Sequence, residues 1–199
     1  MRLAFFVFLA GVLLAAPVSA HPHEWVDWGV GLVMDEKKPS SVVSIQLELT
    51  WDEWFSALML TDFPDIGKRN LGANDLVQLD ATYGLGSTNR ASSLTVTWAG
   101  KAVPVKLAMR TPRSDGKRVT LVYSFPVNRK ITSLTELRIS LYDPTYYTDM
   151  GIRAKNGAFF LGVKDPRDYD GASNYEQDFA HPYYGGAVFP EVVVFGLRP

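Results

Sequence analysis

The sequence predicts a mainly β protein: an antiparallel β-sandwich-like single domain with a short helical insertion. Three observations carry that expectation. Apolar and polar residues alternate over long runs, which is the period of a half-buried strand. Turn-forming clusters at residues 35–40, 99–100 and 114–117 cut these runs into short lengths. One segment after Trp51 abandons the alternation for helical spacing. Five Trp, nine Tyr and eleven Phe are in keeping with strands, whose half-buried faces favour aromatic rings.

The chain opens with Arg2, an uncharged apolar run at residues 3–16, and small residues at Val18 and Ala20. That pattern predicts a signal peptide, residues 1–20, removed after Ala20. The run is short for a membrane span and polar residues follow at once. The expectation is a periplasmic protein whose mature chain, residues 21–199, forms one domain without a transmembrane segment. There is no cysteine, so burial rather than disulfides holds the domain together, and thiolate ligands, thiol redox chemistry and cysteine nucleophiles are excluded. A formal net charge of −1 with no basic stripe gives nucleic acid no electrostatic footing.

Along the chain, Val26, Trp28, Val30, Leu32 and Met34 share one parity, with His21, His23, Trp25, Asp27 and Gly29 on the other. A second strand follows the polar turn, with Val43, Ile45, Leu47, Leu49 and Trp51 inward. Asp52 or Thr50 caps a helix with a stripe of Trp54, Phe55, Leu58 and Met59, which ends before Pro64. A shorter helix is expected over residues 74–81. Strands return at 94–98, 102–108, 119–125, 137–142, 159–163 and 192–195. Residues 62–73 have the length of a calcium loop, and Asp62 and Gly67 fit its first and sixth positions. Pro64, Ile66 and Ala73 occupy three of its ligand positions, so that reading fails.

For chemistry, cleavage after Ala20 makes His21 the first residue. The free amine, the His21 imidazole and the His23 imidazole are then three nitrogen donors within three residues. Histidines two apart on a strand point the same way, roughly 6.5–7 Å between Cα atoms, a gap that one ion bridges. With no thiolate, the donors are nitrogen and oxygen, which suits Zn, Ni, Co or Cu(II). Pro22 lacks the amide proton that an amino-terminal copper/nickel chelate needs. His181, the third histidine, is either a distant ligand or a turn residue among Pro182, Tyr183, Tyr184 and Gly185. Asp143 ends a strand before Pro144, as a functional carboxylate or as a turn-former. Asp52 and Glu53 serve a helix cap or lend oxygen to a nearby site. No Gly-x-Ser-x-Gly, phosphate loop, dinucleotide fingerprint or His-Glu-x-x-His is present, and the expectation is that the protein is not an enzyme.

Three motifs, in this order, resemble a known family: His21-Pro22-His23-Glu24-Trp25, Trp51-Asp52-Glu53-Trp54-Phe55-Ser56 and Tyr142-Asp143-Pro144-Thr145-Tyr146. The chain is similar to the bacterial periplasmic proteins of the domain-of-unknown-function 1007 family. The resemblance implies a metal-transport accessory protein, with His21 and His23 as metal ligands and Asp143 and Glu53 as further candidates. It also implies a membrane permease of nickel/cobalt type as partner, in some members for zinc. The resulting expectation is a carrier of a divalent ion, zinc first and nickel or cobalt next, which exchanges it with a membrane transporter. Two rivals stand beside it: a copper oxygenase with an N-terminal histidine brace, which needs a second histidine such as His181, and a β-rich interaction module without metal.

Overall fold

The computed structural model describes residues 23–86, 93–153, 157–163 and 173–199. The predicted signal peptide and His21 lie outside the described residues. Two sheets share one hydrophobic core. The larger has seven strands in the order β10-β1-β2-β7-β5, with β9 also on β1 and β6 also on β7. The smaller has five, β11-β12-β8-β3-β4. In chain order these are β1 Glu24–Asp35, β2 Lys38–Trp51, β3 Ser93–Trp98, β4 Lys101–Ala102, β5 Ala108–Met109 and β6 Arg113–Ser114. They continue as β7 Val119–Lys130, β8 Thr135–Tyr142, β9 Thr148–Ile152, β10 Ala158–Leu161, β11 Ser173–Gln177 and β12 Glu191–Leu197. Helices α1, Glu53–Asp62, and α2, Ala73–Tyr83, form the insertion between β2 and β3.

The alternation in β1 does what the sequence predicts: Val26, Trp28, Val30, Leu32 and Met34 are all buried. Opposite them stand Ile45, Leu47, Leu49 and Trp51 of β2, then Val119, Leu121, Tyr123 and Phe125 of β7. Leu137, Ile139, Leu141, Val193 and Phe195 supply the facing layer from the smaller sheet. The Phe160 ring meets Phe195 edge-on at 5.6 Å and joins the two sheets.

Three expectations are corrected by pairing that no local pattern reveals. Val43 is exposed and Val42 is fully buried, because the β2–β7 register shifts between Val42 and Ser44 and reverses the parity there. The strand expected at 102–108 is split: residues 101–102 pair in the small sheet and 108–109 in the large one, with the chain crossing between them through Pro104. The sandwich is not wholly antiparallel, since β9 and β10 both run parallel to β1 along its free edge.

Helix α1 is capped by Asp52, whose Oδ1 accepts the Phe55 amide at 2.8 Å. It buries Phe55, Ser56 and Met59 and leaves Trp54 and Leu58 of the expected stripe exposed. Ser56 fixes the helix to the sheet: its hydroxyl donates to the Trp51 carbonyl and accepts the Val119 amide at 2.8 Å. Asp62, the first residue of the rejected calcium loop, accepts the Tyr83 hydroxyl at 2.5 Å and so ties α1 to α2.

Candidate functional site

Strand β1 begins where three distant segments meet. The His23 amide donates to the Tyr147 carbonyl at 2.8 Å, and the two rings lie 4.9 Å apart. From there β9 runs beside β1 in parallel, pairing Glu24 with Thr148 and Trp25 with Asp149. Strand alternation then separates two sets of side chains. Glu24 and Thr148 turn toward the core, both buried, and the Thr148 hydroxyl donates to Glu24 Oε2 at 2.9 Å. His23, Trp25 and Asp27 share the opposite face with Tyr147 and Asp149.

Asp143 holds the loop that brings Tyr147 to His23. Its Oδ1 accepts from the Thr145 amide at 2.8 Å and the Thr145 hydroxyl at 2.7 Å, and its Oδ2 accepts from the Thr148 amide at 3.0 Å. At 1% exposure, with three donors on two oxygens, this carboxylate positions the loop. The loop reverses through Tyr146, whose φ of 57° lies in the left-handed region.

Asp149 contrasts with it. The side chain is half-buried and, among the described residues, accepts no hydrogen bond and forms no ion pair. Burial alone pushes its carboxyl above the ordinary carboxylate value. A group of phenols packs beside it: Tyr142 and Tyr183 rings lie 4.8 Å apart, Tyr146 and Tyr184 5.1 Å. Burial, and then the charge of Asp149, pushes the Tyr183 phenol up, and Tyr146 shifts the same way for the same reasons. These hydroxyls therefore stay protonated beside the carboxylate.

The start of α1 joins the same end of the sheet. Asp52 Oδ2 accepts the Trp25 amide at 3.3 Å, and the Asp52 amide donates to the Trp25 carbonyl at 3.1 Å. Both Asp52 oxygens are thus used in structure. Glu53 next to it is exposed and makes no side-chain hydrogen bond or ion pair among the described residues. Its place in the first turn favours the helix dipole. Asp27 is paired with Arg118 at 2.8 Å, which removes it from any site at His23.

His181 is reached from the same phenol group through Tyr142, and it forms no hydrogen bond, ion pair or ring contact with His23. Its Nδ1 lies 2.8 Å from Asp178 Oδ2, and it overhangs a groove of about 370 Å³ on the outer face of the small sheet with Thr95, Thr97, Arg138, Ser140 and Tyr142. Among the described residues, no three His, Asp or Glu side chains gather as a metal-holding group. His23 stands at the junction as the described nitrogen donor. Sequence reasoning passed over Asp149 as a ligand candidate, although the alternation of Thr148, Met150 and Ile152 would have placed it on the outer face.

The family described as a protein of unknown function (DUF1007) matches residues 6–181. The chain belongs to this family. The match takes in the candidate donors His21, His23, Glu53, Asp143 and His181, so this DUF1007 protein carries all of them within the shared region. No curated protein matches it.

Proposed function

We propose that this DUF1007 protein is a periplasmic carrier of a divalent transition ion, zinc foremost with nickel and cobalt as alternatives, and that it exchanges the ion with a membrane transporter. The ion is cargo, held by His21 and His23 and neutralised by Asp149. The observation that carries the reading is the junction at the start of β1, where His23 and an unpartnered, half-buried carboxylate share one face. Neutral imidazole and carboxylate are a fitting donor set for these ions. Ionised Asp149 bears a desolvation cost that a dication beside it would offset, so the ion and the ionised carboxylate favour each other. Asp143 supports the reading indirectly, by fixing the loop that carries Tyr147 and Asp149.

The test is a zinc titration by calorimetry on untagged protein beginning at His21. One ion per chain is expected, with affinity falling from pH 7 to pH 5 as protons compete for the imidazoles. His21→Ala with His23→Ala should lower affinity at least about a hundredfold, as removal of first ligands does. Zinc uptake by that double variant equal to the parent would sink the proposal.

A further inference from the structure

The far end of β1 carries a second grouping of polar side chains. The strand has twelve residues, so Asp35 lies roughly 36 Å along the sheet from the His23 junction. There the ends of β1, β2 and β7 line an open cleft of about 600 Å³. Its cations are Lys38, Arg129 and Lys130, and Asp35 is its carboxylate.

The backbone of β7 explains why these cations gather. Val42 pairs with Arg129 and Ser44 with Pro126, so Val127 and Asn128 together stand opposite Val43 alone. That is a bulge, which bends the strand and re-aims the side chains after it. Asn128 completes it at φ 47°, in the left-handed region that asparagine tolerates better than most residues. The same irregularity turns Val43 outward, so the cleft has an apolar floor of Val42 and Val43.

The donors of this cleft are unspent. Arg69, Arg113, Arg118, Arg138 and Arg153 each meet a carboxylate within 3.5 Å. Lys38, Arg129 and Lys130 form no ion pair among the described residues. Asp35 Oδ1 is taken by the Lys37 amide at 2.9 Å. The Ser40, Ser41 and Asn128 side chains likewise form no hydrogen bond among the described residues.

We propose that this cleft binds a soluble phosphate monoester. Three cations against one carboxylate leave an excess of two positive charges. A monoester phosphate carries nearly two negative ones at neutral pH. The Arg129 fork suits two phosphate oxygens, the lysines act as point charges, and the two serines and Asn128 donate to what remains. The valine floor takes the organic group of the ester, which bare phosphate lacks. The volume lies in the range of small-molecule sites. A carboxylate would neutralise only half of the excess. A nucleic acid would need positive charge well beyond the cleft, on a chain of formal net charge −1.

The experiment is calorimetric titration of protein beginning at His21 with phenyl phosphate, in metal-free buffer of low ionic strength. One ligand per chain is expected, bound about tenfold tighter than inorganic phosphate or benzoate. Arg129→Gln should weaken binding about tenfold or more, through loss of charge-assisted hydrogen bonds. Lys130→Gln should weaken it less. Both side chains are exposed, so the fold is retained. Lys68→Gln, the same change at an exposed lysine of the α1–α2 connection, should bind like the parent. So should His21→Ala with His23→Ala, which keeps a failed metal site from counting here. Absence of phenyl phosphate binding overturns the proposal, as does an Arg129→Gln variant of parental affinity, an equal loss in Lys68→Gln, or benzoate bound as tightly. Phosphatidic acid vesicles that capture the protein while phenyl phosphate does not bind would assign the cleft to a lipid headgroup and overturn it too.

Discussion

Glu48 and Asp149 are both carboxylates withdrawn from water on the large sheet, and the protein treats them in opposite ways. Glu48 is 6% exposed on the outer face of β2. Its Oε1 accepts the Gln46 side-chain amide at 2.9 Å and lies 2.5 Å from Arg113, while Oε2 is 3.5 Å from Arg153. Thr50, two residues on, bonds the Thr120 hydroxyl at 2.9 Å and accepts from Arg153. Charge, donors and geometry around Glu48 are thus matched, as a buried ion requires. Asp149 has less burial and, among the described residues, no donor. A carboxylate left short of partners on the face that carries a histidine is a candidate ligand, whereas a group fully met by its own fold is structure.

Three substitutions sharpen or break that contrast. Glu48→Ala should cost about 2–3 kcal/mol in denaturant unfolding, less than orphaning a fully buried charge because Arg113 remains 58% exposed. Zinc affinity should not move; a parallel loss of affinity would mean that the two regions are not separate.

Asp149→Asn should have the reverse signature. Zinc affinity should fall about tenfold with loss of the neutralising oxygen. The metal-free protein should melt higher at neutral pH, because the variant no longer buries an unpaired charge. The sign follows from the raised carboxyl value: folding favours the protonated acid, so the native state loses stability as pH rises through the ordinary carboxylate range to the raised value. The variant's advantage should therefore be full above that range and vanish as pH falls below about 3.9. Equal melting temperatures at neutral pH would show that Asp149 has a partner after all.

Glu53→Ala is the smallest test. An exposed first-turn acid is worth about 0.3–1 kcal/mol through the helix dipole, and zinc affinity should stay within about twofold. A tenfold loss would return Glu53 to the ligand set.

Much of the fold was legible in the sequence, whereas the contrast between Glu48 and Asp149 was hidden for identifiable reasons. The β1 alternation and the Asp52 cap are local patterns, and each appears where the spacing places it. Strand β9 was not legible. It is five residues long, and its partner is β1, so the Thr148–Glu24 bond spans 124 positions. Without β9, Asp149 was one acid in a Tyr-rich loop and Asp143 looked like the stronger ligand. Asp143 was ambiguous because a strand-end Asp before proline serves a turn and a site equally well; only its three donors separate the two. The Val42–Val43 reversal needed the register of β7, which no window along β2 contains. His181 was open for the same reason, since Asp178 and the outer face of β8 decide its surroundings.

The most direct measurement of the central claim is zinc K-edge X-ray absorption on untagged protein beginning at His21, loaded with one equivalent. The account predicts two imidazole nitrogens and at least one carboxylate oxygen at about 2.0–2.2 Å, with an oxygen lost in Asp149→Asn. A shell built only of oxygen, or protein that retains no zinc with both leading histidines intact, would contradict it.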